Sequence, residues 1–172
     1  LCPFSAVVET PHTPNTIAIR NIRQVEFPLT FTVLADNIDV PSHECLGSIT
    51  VIQGGALHTF PFDSSVESVQ MLLRTDGCPL NSRIELLQGP NNNKQVIELY
   101  SEDGYERPFF GILMTPGGAG NGAGNVVRVV NTAPVEFPMT ASVVPNVVDY
   151  GTSSHPILGG DGGDACGNVE EE

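Results

Sequence analysis

The sequence predicts an all-β protein, an antiparallel β-sandwich of jelly-roll kind, and three observations carry that prediction. Short runs rich in Val, Ile, Phe, Thr and Leu recur along the chain, each closed by Gly, Pro, Asn or Asp. With 14 Pro and 18 Gly among 172 residues, long helices have little room. Residues 83–100 place a Gly-Pro-Asn-Asn-Asn cluster between two strand-like runs, the composition of a hairpin.

In chain order the expected strands are 4–9, 16–23 and 29–34, with Pro11, Pro28 and Asp36-Asn37 as breakers around them. Next come 48–53, closed by Gly54-Gly55, and 69–74, closed by Asp76-Gly77. The hairpin strands 83–88 and 95–100 follow, and then 109–114, 125–130 and 139–144. Ten short strands at this spacing fit two packed antiparallel sheets. One stretch, 64–73, has a helical start available with Asp63 as its cap, although the β-branched Val66 and Val69 weaken that option. The whole of 1–159 reads as one unit, followed by an acidic, Gly-rich tail at 160–172.

An internal repeat is the most informative feature. Val25-Glu26-Phe27-Pro28-Leu29-Thr30 returns as Val135-Glu136-Phe137-Pro138-Met139-Thr140. Upstream, Pro3-Phe4 and Thr10-Pro11 correspond to Pro108-Phe109 and Thr115-Pro116, and Asn21 to Asn131. Downstream, Val33 and Asp39 match Val143 and Asp149, and Ser42-His43 with Leu46-Gly47 returns as Ser154-His155 with Leu158-Gly159. Residues 3–47 thus resemble 108–159, the second copy carrying an extra Gly-Ala-Gly-Asn loop at 117–125, around an unrepeated block at 48–107. Two readings stand: a duplication that serves folding alone, or two copies that present similar faces to neighbouring subunits. Contacts of the second sort need not close into rings and propagate into sheets or tubes. Phe27 and Phe137 are expected to be buried, with Pro28 and Pro138 at strand starts or edges. Glu26 and Glu136 either meet an Arg in the same or the next subunit or are simply solvated.

Twenty acids against seven bases give a net charge of -13, which repels phosphate backbones and so disfavours nucleic acid and anionic membrane surfaces. No apolar run reaches the ~20 residues of a membrane helix. The start at Leu1 reads as a processed chain. Cys2, Cys45, Cys78 and Cys166 lack CxxC spacing, which disfavours zinc; they allow two disulfides in three pairings, and reduced thiols are expected.

Catalytic patterns are weak throughout. His12, His43, His58 and His155 show no metal-hydrolase spacing, and no Gly-x-Ser-x-Gly elbow is present. His43 and His155 are expected in loops, in turn hydrogen bonds. The Gly-rich loop after Gly117 has dinucleotide-like spacing but no following helix. Residues 159–164 match a calcium repeat in a single copy, whereas that pattern works through stacked copies. No catalytic residue, cofactor or metal is therefore expected.

The run from Leu87 to Gly104, followed by Pro108-Phe109-Phe110 and by Val126 to Pro138, resembles the pyrenoid shell proteins of diatoms and related algae. The resemblance covers roughly 69–149, with an echo at 3–47 through the repeat. It implies a structural, non-enzymatic protein of the plastid stroma that self-assembles into a sheet-like lattice around the Rubisco-filled pyrenoid and supports carbon fixation. Implied partners are further copies of the chain, other shell proteins or components of the Rubisco compartment. Within that reading the candidate assembly residues are Val25, Glu26, Phe27, Pro28, Val135, Glu136, Phe137 and Pro138. Two alternatives have their own signatures. A subunit docked on a larger plastid complex, such as a photosystem–antenna assembly, predicts a stable monomer with one apolar patch. A carbohydrate-binding module predicts a Tyr-lined groove, for which this chain without Trp offers only Tyr100, Tyr105 and Tyr150.

Overall fold

The computed structural model describes residues 3–11, 15–22, 27–35, 39–89, 92–115 and 124–149. The tail, the Gly-rich loop at 117–123, the Ser154–Gly159 end of the second copy, His12, His155, Tyr150, Cys2, Cys166, Val25 and Glu26 lie outside the described residues.

Among the described residues nine strands and one short helix follow one another: β1 (Phe4–Val7), α1 (His43–Gly47), β2 (Thr50–Ile52), β3 (Leu57–Phe62), β4 (Val66–Arg74), β5 (Leu80–Gln88), β6 (Asn93–Ser101), β7 (Phe109–Met114), β8 (Asn125–Asn131) and β9 (Met139–Val148). They form two sheets, β1-β7-β4-β9-β2 and β3-β8-β5-β6, with every pair antiparallel. The pairing has a simple logic. The chain makes one long hairpin with its tip between β5 and β6, and the pairs β4·β7, β3·β8 and β2·β9 follow outward from that tip. Rolled up, this hairpin is a jelly roll of two facing sheets. β2–β5 form its outgoing arm and β6–β9 its return, while β1 is an addition at the free side of β7.

Strand alternation builds the core. Ile84 and Leu86 of β5, Val127 and Val129 of β8, Val69, Met71 and Leu73 of β4, and Met139, Ala141 and Val143 of β9 point between the sheets. Each buried Val, Leu or Met side chain contributes about 1.5–3 kcal/mol relative to exposure. A smaller cluster covers the outer face of the five-stranded sheet, where Cys45 of α1 packs with Leu72, Phe110 and Val144. The Ser42 hydroxyl caps α1 by accepting from the Cys45 amide, and the Ser42 amide donates to Gln70 Oε1 at 2.9 Å. Gln70 in turn donates to Asn146 Oδ1 at 2.7 Å, which ties helix and sheet together.

Several expectations need correction. Residues 16–22 and 29–34 are not strands, although their composition is strand-like. A strand exists only where a neighbour takes its backbone groups, and no described strand pairs with either run. Strand β3 went unexpected because Pro61 interrupts it, and the structure places it on a sheet edge, where a lost N–H is harmless. By contrast, the strand expected at 69–74 is present and extends to 66–74, over the helical start available at 64–73, as the β-branched residues favour. His43 opens helix α1 instead of sitting in a loop, because Ser42 supplies the cap.

Candidate assembly surfaces

The second Val-Glu-Phe-Pro segment lies in the connection from β8 to β9, and a buried side chain builds it. Asn131 is fully enclosed, and its Nδ2 donates both to the Ile52 carbonyl at 3.0 Å and to the Phe137 carbonyl at 2.9 Å. Its Oδ1 accepts from the Ala133 amide at 3.0 Å. The Phe137 amide closes the turn onto the Pro134 carbonyl at 3.0 Å. Gly54, in the β2–β3 connection, passes so close that a Cβ there would overlap the Pro134 carbonyl. This lattice of bonds leaves Val135 72% exposed and Glu136 exposed, with Phe137 and Pro138 half-buried just before β9. Pro138 therefore meets the expectation of a strand start, and Phe137 meets that of burial only in part. Glu136 makes no ion pair with a described residue.

The first segment differs. Phe27 is 55% exposed, against the expectation of burial, and belongs to neither core cluster. Pro28 is exposed as well. Asn21 Nδ2 nevertheless donates to the Phe27 carbonyl at 2.8 Å, the same six-residue bond that Asn131 makes to Phe137. Around it Ile17, Ile19, Ile22, Leu29, Phe31, Val33 and Leu34 are all exposed. So many large apolar side chains exposed within two short runs mark a place of contact. The sequence hid it, since a strand-like run implies burial until its neighbours are known.

A third surface is the outer face of the four-stranded sheet. Register places Glu85 of β5 opposite Arg128 of β8, and Arg83 opposite Glu98 of β6, all on the side away from Ile84 and Val129. The Glu85 carboxylate is nearly buried between two guanidinium groups: Arg83 Nε approaches at 2.8 Å, and Arg128 holds the other oxygen through Nε and Nη2. Glu98 lies 3.9 Å from Arg83. Leu57, Val96 and Tyr100 are exposed on the same face, and an open hollow of about 400 Å³ runs along Arg83, Glu98 and Tyr100. The charges are satisfied within the sheet, so the face offers shape and apolar rim more than free charge. The alternation of 83 and 85 along one strand was the available signal for it, but their partner Arg128 is 43 residues from Glu85.

Chemistry-bearing groups are not drawn together. Among the described residues no group of three or more His, Cys, Asp and Glu could hold a metal ion. Cys45 and Cys78 are free thiols. Burial pushes the Cys45 thiol up, with Arg74 pulling the other way and Glu44 adding to the rise. Desolvation and a hydrogen bond with Asp76 raise Cys78. Neither is an activated nucleophile. Tyr100 and Tyr105 are both exposed, and only Tyr100 lines the hollow. No helix among the described residues is long and apolar enough to cross a membrane.

A family model described as diatom pyrenoid shell protein matches residues 1–145. No curated protein matches the chain.

Proposed function

From the premise that the chain belongs to the diatom pyrenoid shell protein family, we propose that it is a structural subunit that assembles with copies of itself into a sheet-like lattice. That lattice encloses the Rubisco compartment of the plastid and confines inorganic carbon there. The role is mechanical and barrier-forming, with no reaction catalysed by the chain. The observation that carries this reading beyond the family is the exposure of the large apolar side chains of residues 15–22 and 27–34, on a chain whose net charge of -13 would otherwise favour dispersal.

At the four-stranded sheet, edge-to-edge strand addition is a poor route for such assembly. β3 carries Pro61 and β6 carries Lys94 with a register irregularity opposite Leu86/Leu87, devices that blunt a free edge. Contacts through faces and loops fit better, and the locked loop presenting Val135 and Glu136 is the one suited to a charge pair with an Arg of the next copy. Phe27 and Pro28 offer the equivalent exposed surface in the first copy.

The test is negative-stain electron microscopy of the purified chain over a concentration series, with light scattering on the same samples. Sheets or tubes that appear with concentration are expected. A monodisperse monomer throughout would move the reading to a subunit docked on a larger plastid complex. Glu136→Arg is expected to suppress the assemblies while leaving the circular dichroism spectrum unchanged; normal assembly by that variant would remove the loop from the interface.

A further inference from the structure

The sequence copies align without a gap from 15–34 onto 125–144, which extends the Asn21–Asn131 match to Asn15 and Asn125. The counterparts of Ile17, Ile19, Leu29, Phe31 and Val33 are Val127, Val129, Met139, Ala141 and Val143. All five counterparts lie in the core and are at most 5% exposed, whereas the first five are 46–59% exposed. The same apolar pattern is therefore solvated in one copy and enclosed by the facing sheet in the other.

Two further observations concern β1, the counterpart of β7. The two strands pair in a self-symmetric register. Ala6, which corresponds to Gly111, lies opposite Gly111 itself, with Ser5 opposite Ile112 and Val7 opposite Phe110. The rings of Phe4 and its counterpart Phe109 stack across the pair, with centroids 6.4 Å apart and planes 12° apart. Equivalent strands meeting at equivalent residues are the mark of a two-fold relation. On the far side of β7 lies β4, with Met71 opposite Gly111. The same operation places a β4-like strand on the free side of β1, opposite Ala6. The bonds Asn21–Phe27 and Asn131–Phe137 are the same six-residue side-chain-to-carbonyl contact in both copies.

We infer that residues 3–11, 15–22 and 27–34 are the counterparts of β7, β8 and β9 in a second jelly roll, related to the first by a pseudo-two-fold axis between Ala6 and Gly111, whose open face takes a second segment of the 48–107 kind. That segment brings β2–β5 together with its own β6. The occupant is an outgoing arm, because β7, β8 and β9 are covered in the first roll by β3, β4 and β5 of that arm and by β2 at its edge. The joined rolls share one sheet through the β1·β7 pair. The inference stands on the internal repeat and sharpens the shell reading at this one face: the cover is an outgoing arm rather than the face of a whole copy, so its failure leaves assembly through other surfaces standing.

The test places a second copy of residues 48–107 directly ahead of Leu1 of the full chain and follows amide hydrogen exchange. Exchange at 16–20 and 29–34 is expected to slow by about 100-fold or more relative to the chain alone, as for strands inside a cooperative unit. Phe31→Asp in the extended chain is expected to restore fast exchange there while 125–148 stays protected. A control in which 125–144 replaces 15–34 in the extended chain establishes that the added arm folds. Protection in that control without protection of the natural 15–34 would overturn the inference. So would concentration-dependent protection in the unextended chain, which would mean that whole copies cover this face without a second arm.

Discussion

Residues 125–144 and 15–34 carry one apolar pattern and meet opposite surroundings. Val127, Val129, Met139 and Val143 are enclosed between two sheets, while Ile17, Ile19, Leu29 and Val33 face solvent. Even the Asn-to-carbonyl bond is common to both. Local sequence therefore specifies that bond, and the strands available as neighbours decide whether the flanking runs become strands. The first copy is itself divided, since β1 and α1 are docked on the five-stranded sheet while the residues between them include the exposed runs.

This contrast can be broken or sharpened by paired substitutions. Met139→Ala is expected to cost about 2–5 kcal/mol in urea unfolding, through lost burial and a residual cavity. Leu29→Ala, its exposed counterpart, is expected to cost about 0.5 kcal/mol or less in the same measurement. Equal losses would mean that the first copy is packed in solution. Asn131→Ala leaves two carbonyls and one amide without their partner, and a loss of about 2–4 kcal/mol is expected. Asn21→Ala removes the exposed bond to the Phe27 carbonyl, and about 0.5–1 kcal/mol is expected.

A third substitution probes the junction between the copies. A Cβ at Gly111 would lie 3.0 Å from the Phe109 ring and 3.1 Å from the Ser5 carbonyl of β1. Gly111→Ala is expected to cost about 1 kcal/mol and to speed amide exchange in β1 more than in β4. Ala6→Gly, on the other side of the pair, is expected to leave exchange in β7 unchanged.

The smallest effect concerns α1. Burial raises the Cys45 thiol, so the fold favours its neutral form. The stabilisation from this group is therefore complete below the ordinary thiol value of 9.0 and is lost as pH climbs through the raised value. Iodoacetamide at pH 8 is expected to label Cys45 more slowly than the half-buried Cys78, with the difference narrowing only at higher alkaline pH.

Much of the architecture was legible because strand period and breakers are local. The runs at 83–88, 95–100, 109–114, 125–130 and 139–144 all fall within observed strands. β3 was hidden by Pro61, whose cost depends on whether a strand lies at an edge, and α1 by its length of five residues, too short for an apolar period to show. Of the candidate site, the repeat was legible in full as sequence. The burial of Phe27 was not, because burial belongs to the partner surface rather than to the residue. The Arg83–Glu85–Arg128 cluster was equally out of reach, since its members meet through register across β5 and β8.

What the sequence by itself determined is the period-2 pattern, the turn chemistry and the repeat, each written within a few neighbouring residues or in plain identity between segments. Only the tertiary structure decided that one copy is a finished arm of a jelly roll while the other keeps its apolar face open. The reason is physical: backbone hydrogen bonds and apolar burial in a sheet are supplied by strands distant in the chain, so two like segments diverge wherever their neighbours do.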